Sequence, residues 1–405
     1  MAGPLEGIRV LDLTSVVMGP YATSILGDLG ADVIKIEAPG GEVMRKSGPM
    51  RHSDMGHFYL AINRNKRSVV LDLKREEARK ALLRMVSKTD VLVYNIRPQA
   101  MERLALGYEA LRAVNPKLLY VGAFGFSQKG PYAARPAYDD LIQGMTGIPW
   151  LSQQAGSERP RYAPMVLVDR MVGLQLANAI TSGLYHRERT GQGQRIDVPM
   201  FEGMLSIVLG EHLAGLAFKP PAGPAGYQRS LAQDRRPYQT KDGWLCVMVY
   251  NDKQWRSFLK VIGRPEIFTD DERFSSQNSR LTHIDYVYGF LAEVLSSRTS
   301  DEWIRLFEQA DIPVARMANI DQMLDDEHVK ATGFVQEVDH PTEGSLRITA
   351  IPTEWSHSVP QFRYHAPLPG EHTRSVLSEF GMSATEIDCL IAAEAAIQLD
   401  ETNGS

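Results

Sequence analysis

From Ile8 to Val121 the chain repeats one pattern: a short apolar run, a turn, then an amphipathic stretch of about three turns. Ile8 to Leu13 is apolar and leads into Thr14-Ser15, a helix begins near Pro20 and ends before Gly30, and Asp32 to Glu37 alternates as a strand does. Ser68 to Leu73 reads as a third strand. The helix Glu76 to Ser87, with Ala78, Leu82, Leu83 and Val86 at helical spacing, precedes Val91 to Tyr94. A further helix from Ala100 to Val114 precedes Leu118 to Val121. Parallel strands cannot be joined by a tight hairpin and need a crossover, so strands separated by helices predict βαβ units and an α/β fold around a parallel sheet.

Further on the pattern becomes helical. Tyr138 to Gly147 and Arg170 to Arg189 are helical stretches separated by a polar loop around Gln153 to Arg161, and Met200 to Leu216 reads as a buried helix. Lys219 to Gly226 is rich in Pro and Gly and reads as a linker. A strand at Trp244 to Val249 follows, then two helices, one opened by a capping box at Thr299 and Glu302. The tail from Gly370 to Ala396 is again helical. These readings divide the chain into a large domain over residues 1–218, a linker and smaller α+β domain over 219–325, and a segment over 326–405 that returns to complete the large domain.

Composition narrows the class. The net charge of −5, with both signs mixed along the chain, lacks the basic stripe of a nucleic-acid binder. The N-terminus has no basic segment ahead of an apolar core, and no window approaches the ~18 apolar residues that span a membrane. Cys246 and Cys389 are far apart, which fits a reducing cytoplasm. His186, His212 and His372 have no metal-ligand spacing, so no metal is expected.

Two motifs bear on chemistry. Thr14 to Pro20 follows the first strand where a dinucleotide loop would lie, and Glu37 ends the second strand where a ribose-binding acid would sit. The loop holds a single glycine, Gly19, which argues against a pyrophosphate cradle. Asp169 lies between an apolar stretch and an amphipathic helix. By spacing alone it is either a helix cap or a carboxylate kept ionised by the helix dipole and able to attack a carbonyl carbon, with backbone N–H groups nearby for an oxyanion.

Several segments, taken in order, resemble one family. They are Pro4 to Thr14, Gly19-Pro20, Leu29 to Gly40, Asn65 to Ser68, Asn95 to Pro98, Tyr138-Asp139, Asp169 with Gly173, Glu188 to Gln194, and Gly370 to Thr373. The chain from Leu5 to Ile391 is thereby similar to the class III CoA-transferases, the family of formyl-CoA transferase and carnitine CoA-transferase.

The resemblance implies a large Rossmann-like domain, a smaller α+β domain and an interlocked homodimer. It also implies transfer of CoA from an acyl-CoA donor to a carboxylic acid, through an aspartyl anhydride and an aspartyl-CoA thioester on Asp169. Coenzyme A would arrive as a thioester substrate, and no tightly bound cofactor is expected. Its partners in the family match at Val16, Asn95, Ile96, Arg97, Lys74, Arg103, Arg135 and Met200. Val17, Tyr138 and Asp139 would support the nucleophile. The same family contains α-methylacyl-CoA racemases, which carry a His-Asp pair where this chain has Tyr138-Asp139. Histidine suits proton exchange near neutral pH and tyrosine does not, so transfer is preferred to racemisation. An acyl-CoA-binding protein without transfer activity is the remaining alternative.

Two departures concern the substrate. Formyl-CoA transferases carry a glycine-rich loop where this chain has the arginine-rich stretch Gly226 to Tyr238, and a glutamine where it has Val17. Both argue against formyl-CoA and oxalate. Arg45, Arg51, His52, Arg64, Arg229, Arg235 and Arg236 suggest a dicarboxylic or other polar short-chain acid.

Overall fold

A computed structural model describes residues 3–399. Its order begins with β1 (Arg9–Leu13), α1 (Met18–Asp28), β2 (Asp32–Glu37), α2 (His57–Ile62), β3 (Lys66–Leu71), α3 (Glu76–Val86) and β4 (Val91–Tyr94). It continues with α4 (Pro98–Arg103), α5 (Tyr108–Val114), β5 (Leu119–Phe124), α6 (Asp139–Met145), α7 (Ile148–Gln154), α8 (Leu167–Thr190), β6 (Gln194–Pro199) and α9 (Met200–His212).

The chain divides into two compact units. The first comprises residues 1–142, 166–205 and 327–405; the second comprises 143–165 and 206–326. The first unit is built on a seven-stranded sheet in the order Ala396–Ile397, β3, β2, β1, β4, β5, β6. All neighbours are parallel except the C-terminal pair, where Ala396 and Ile397 run antiparallel to Leu71 and Val70. Register places Arg9 against Asp32 and Val10 against Val91. The chain therefore leaves β1 in one direction to β2 and β3 and in the other to β4, β5 and β6. In open sheets of this kind the ends of the strands beside that reversal form a crevice for ligands.

The central strands are rich in apolar residues because both faces are covered, apart from Asp12, Lys35 and Glu37, which are buried in polar contacts. Leu11, Ile34, Val69, Leu92 and Tyr120 belong to one buried cluster that also holds Leu82, Met85, Val376 and Phe380. Gly173 sits where α8 crosses α1: a Cβ there would come within 2.9 Å of the Tyr21 ring and 3.0 Å of the Met18 carbonyl oxygen.

The second unit has a three-stranded antiparallel sheet, Tyr238–Gln239, Trp244–Val247 and Val314–Arg316. Trp255, Phe258, Trp303 and Phe307 are prominent in its own core. The capping box is formed: Thr299 accepts from the Glu302 amide and Glu302 accepts from the Thr299 amide, opening the helix Ser300–Gln309.

Several expectations need correction. The helix expected over 100–114 is broken into α4 and α5 at Ala105, whose φ is +57°. The strand β6 was not expected; as a sheet edge it keeps Arg195 and Asp197 toward solvent and so shows no apolar run. The helix expected to be buried over 200–216 ends at His212, and within α9 only Met200 and Met204 are buried. The hairpin Val335–His340 with Gly344–Thr349 lies in a stretch read without elements. The C-terminal tail is two helices, Thr373–Glu379 and Ala384–Ala392, separated at Gly381 with φ of +86°. Among the described residues, no helix is long and apolar enough to cross a membrane.

Candidate active site

The site begins beneath the turn that follows β1. Asp12 is fully buried, accepts from the Thr14 amide at 2.9 Å and the Thr23 hydroxyl at 2.7 Å, and receives the Lys66 ammonium at 3.0 Å. Lys66 also donates to the Pro20 carbonyl oxygen at 2.8 Å and to Asn63 Oδ1 at 2.9 Å, while Lys35 donates to the Thr14 carbonyl oxygen at 2.9 Å. Burial by itself raises the Asp12 carboxyl, but Lys66, Lys35 and the two threonines together pull it well below the usual carboxylate range. Burial lowers Lys66 to about 8 against the pull of Asp12. Both ends of the turn are thus pinned by buried charge.

Above this network the turn takes a conformation that the sequence did not reveal. Val16 has φ of +71°, a costly backbone state for a β-branched residue. Its neighbours hold it there. Asn95, just past β4, donates to the Ser15 carbonyl oxygen at 2.8 Å and accepts the Ser15 amide at 3.1 Å. The Val16 amide donates to Glu42 Oε1 at 3.0 Å. The ends of β1 and β4, the two strands at the reversal, are stitched together.

A cavity of about 250 Å³ opens at these strand ends. Seven of the residues expected from sequence line it: Val16, Asn95, Arg97, Arg135, Tyr138, Asp169 and Met200. Ser15, Gly125 and Gln128 line it as well and had no distinguishing sequence signal. Tyr138 is 67% exposed. Val17 is buried beside α1 and does not reach the cavity. Lys74 and Ile96 instead line a second cavity of about 400 Å³, which shares Ser15 with the first. Arg103 is exposed on α4 and lines neither. Glu37 is not available as a ribose acid: it accepts from Arg45 Nε at 2.7 Å, Arg45 Nη2 at 2.6 Å and the Ser68 hydroxyl at 2.6 Å.

Asp169 is the third residue of α8, not its cap, and is 7% exposed. Its amide donates to Asp139 Oδ1 at 2.9 Å, so the first residue of α6 supplies the carboxylate that satisfies this first-turn amide. That amide is committed and is not free for an oxyanion. Burial first, and the Asp139 charge second, push the Asp169 carboxyl up to about 7, with Arg170 opposing. The dipole was expected to keep Asp169 ionised; desolvation and a neighbouring like charge outweigh it. Near neutral pH the group is poised between its two forms.

The basic residues considered for a second carboxylate separate into two groups. Arg45 is buried against Glu37, Arg64 is 2.8 Å from Asp28, His52 is 3.2 Å from Glu343, and Arg51 donates to the Glu343 carbonyl oxygen. These four are spent on internal partners. Arg229, Arg235 and Arg236 line a cavity of about 370 Å³ within the second unit.

Residues 5–373 match the model of CoA-transferase family III. The succinate–glutarate CoA-transferase of Agrobacterium fabrum is 33% identical over 389 residues, covering 93% of this chain and 95% of that protein. The acetyl-CoA:oxalate CoA-transferase of Acetobacter aceti is 37% identical over 319 residues, covering 78% and 82%. Among solved structures, a mutant of Rv3272 from Mycobacterium tuberculosis superposes with a TM-score of 0.81 at 30% identity, covering 93% of this chain and 99% of that one. With a strand-end cavity that holds a buried carboxylate, and likeness across almost its whole length, the chain belongs to CoA-transferase family III and is an acyl-CoA:carboxylate CoA-transferase.

Proposed function

We propose that Asp169 is the nucleophile of a transfer that passes through two covalent intermediates. The observation that carries this reading is a buried carboxylate opening on a cavity at the sheet's reversal point, with Arg97 and Arg135 at the same cavity. An Asp169 oxygen attacks the thioester carbonyl, the C–S bond breaks, and CoA leaves as thiolate with an aspartyl–acyl anhydride behind it. Thiolate attacks the aspartyl carbonyl of the anhydride, releases the donor acid and leaves an aspartyl-CoA thioester. The acceptor carboxylate then attacks that thioester and displaces thiolate, and thiolate attacks the acceptor carbonyl to give the new acyl-CoA and free Asp169. No proton changes hands in this sequence, so Tyr138 needs no acid–base role. The anhydride must be kept from water, which the burial of Asp169 favours.

CoA is read as lying across both cavities, its thioester beside Asp169 and its nucleotide end in the second, where Lys74 supplies a phosphate partner. The acceptor is read as a short dicarboxylic acid, a class to which succinate and glutarate, named for the Agrobacterium relative, belong. Of the seven residues considered for a second carboxylate, Arg229, Arg235 and Arg236 line a cavity, Arg229 also donating to the Tyr288 hydroxyl and Arg236 pairing with Asp234, and they are the ones to substitute when acceptor choice is tested. The active form is read as an interlocked homodimer. The exposed apolar side chains of Leu174 and Tyr185 on α8 and of Tyr138 are surface that a second copy would cover.

The test is chemical trapping. Incubation with an acyl-CoA and hydroxylamine should convert Asp169 to its hydroxamate, seen as a single modified peptide by mass spectrometry. Turnover without modification at Asp169 would overturn the covalent route. Transfer only to long apolar acids in an acceptor screen would overturn the dicarboxylate reading.

The acid limb of the rate profile offers a second check. Only ionised Asp169 attacks, so kcat/KM is expected to fall about tenfold per pH unit below about 7. Asp139→Asn keeps an acceptor for the Asp169 amide but removes the neighbouring charge that raises its carboxyl. The acid limb should therefore move to lower pH in that variant. An unmoved or upward-shifted limb would show that Asp139 does not set it.

A further inference from the structure

Glu42 has a feature that the transfer chemistry leaves unused. It is 5% exposed, and its two carboxylate oxygens are treated unequally. Oε1 accepts the Val16 amide at 3.0 Å and the Met44 amide at 2.9 Å. Oε2 is buried with no hydrogen-bond partner among the described residues. A buried acceptor left unmatched costs free energy, and such an atom in a native fold calls for an explanation.

Glu42 also forms part of the wall of the 400 Å³ cavity. The rest of that wall is largely apolar, with Leu13, Ile36, Val43, Leu71, Ile96 and Leu104. A phosphate placed beside Glu42 would meet a like charge. A neutral, flat group with an N–H or O–H donor would bury its faces against the apolar side chains and give Oε2 a partner.

We infer that Glu42 is a specificity and positioning residue, reading a neutral hydrogen-bond donor in the second cavity with one oxygen while the other holds Val16 at the edge of the Asp169 cavity. The inference rests on the placement of the CoA nucleotide end given above. That end carries two such donors, the exocyclic amine of adenine and the ribose hydroxyl. Satisfying Oε2 fixes the carboxylate that keeps Val16 at φ of +71°. Binding energy from the remote end of the substrate is thereby applied at the reacting end.

The experiment is a binding cycle between Glu42 and the ligand, by direct titration of the full-length protein. Wild type and Glu42→Gln are titrated with CoA, with an analogue carrying hypoxanthine in place of adenine, and with a 2′-deoxyribose analogue. In Glu42→Gln the amide oxygen must take the Oε1 place, because two N–H groups point there, and this turns the Oε2 place into a donor. Wild type should lose about tenfold in affinity for one analogue, the size expected for one buried hydrogen bond, and that analogue names the donor. Glu42→Gln should lose that preference, binding the analogue at least as tightly as CoA to within about twofold. Equal losses in the two proteins, or no loss with either analogue, overturns the inference while leaving the transferase reading intact. A wild-type protein that does not bind CoA overturns both.

The positioning half has its own readout. Glu42→Ala should lower kcat about tenfold, and Glu42→Gln, which keeps an acceptor for the Val16 amide, should restore most of it. A Gln variant as slow as the Ala variant would refute positioning, and where Glu42→Ala does not fold, the kcat of Glu42→Gln against wild type decides it.

Discussion

Asp169→Ala is expected to lower CoA transfer by about four orders of magnitude or more, the scale on which enzymes lose rate when a covalent nucleophile is removed. The expectation is strong because Asp169 is the one carboxylate among the described residues that line the 250 Å³ cavity. Alanine leaves Asn95, Arg97 and Arg135 where they are, so the dissociation constant for CoA should change far less than the rate. Initial rates of CoA exchange between two acids, with a parallel titration of CoA, separate the two effects. Transfer within about tenfold of wild type would place the nucleophile elsewhere.

The second large effect is expected in stability. Asp12→Ala removes the only carboxylate among the described residues that is hydrogen-bonded to Lys66, whose side chain is fully buried, and leaves the ammonium with two neutral acceptors. Breaking a buried pair from one side costs about 3–5 kcal/mol, because the remaining charge is uncompensated. The Thr14 amide and the Thr23 hydroxyl lose an acceptor at the same time. Since the Asp12 carboxyl is held below its ordinary value, its contribution is fully present above about pH 4 and fades as pH falls toward the folded value. Denaturant unfolding near neutral pH should show the loss. The double variant Asp12→Ala with Lys66→Met should recover part of it by removing the stranded charge. A single variant within about 1 kcal/mol of wild type, or a double variant no better than the sum of the singles, would show that the pair is not holding the turn.

The two effects meet at one segment. The Asp12–Lys66 pair holds the turn from below, and Asn95 and Glu42 hold Ser15 and Val16 from the sides. Val16 is thereby kept in a conformation that it would not adopt alone, at the wall of the cavity where Asp169 lies.

The parallel sheet was legible in the sequence because β1 and β4 carry apolar runs and β2 alternates, each followed by a helical stretch. Asp169 was legible as a candidate because an acid opening a helix after an apolar stretch is a local pattern. The edge strand β6 and the break at Ala105 were not, since an edge needs only half the burial and a positive φ in alanine leaves no compositional trace. Lys66 was placed outside the third strand because a buried lysine makes sense only once Asp12, 54 residues away, lies beside it.

The sequence by itself determined the alternation that forces a βαβ sheet and the residue types gathered at its strand ends. Tertiary structure alone decided that Asp169 is buried and that Asp139 faces it, which together move a carboxyl expected to be ionised up to about 7. It also decided that Lys74 and Ile96 line a different cavity from Asp169, and that one Glu42 oxygen holds the strained turn while the other has no hydrogen-bond partner among the described residues. The physical reason is common to all three. Hydrophobic periodicity is carried by neighbours along the chain, whereas desolvation and charge coupling depend on groups that meet only when distant segments pack.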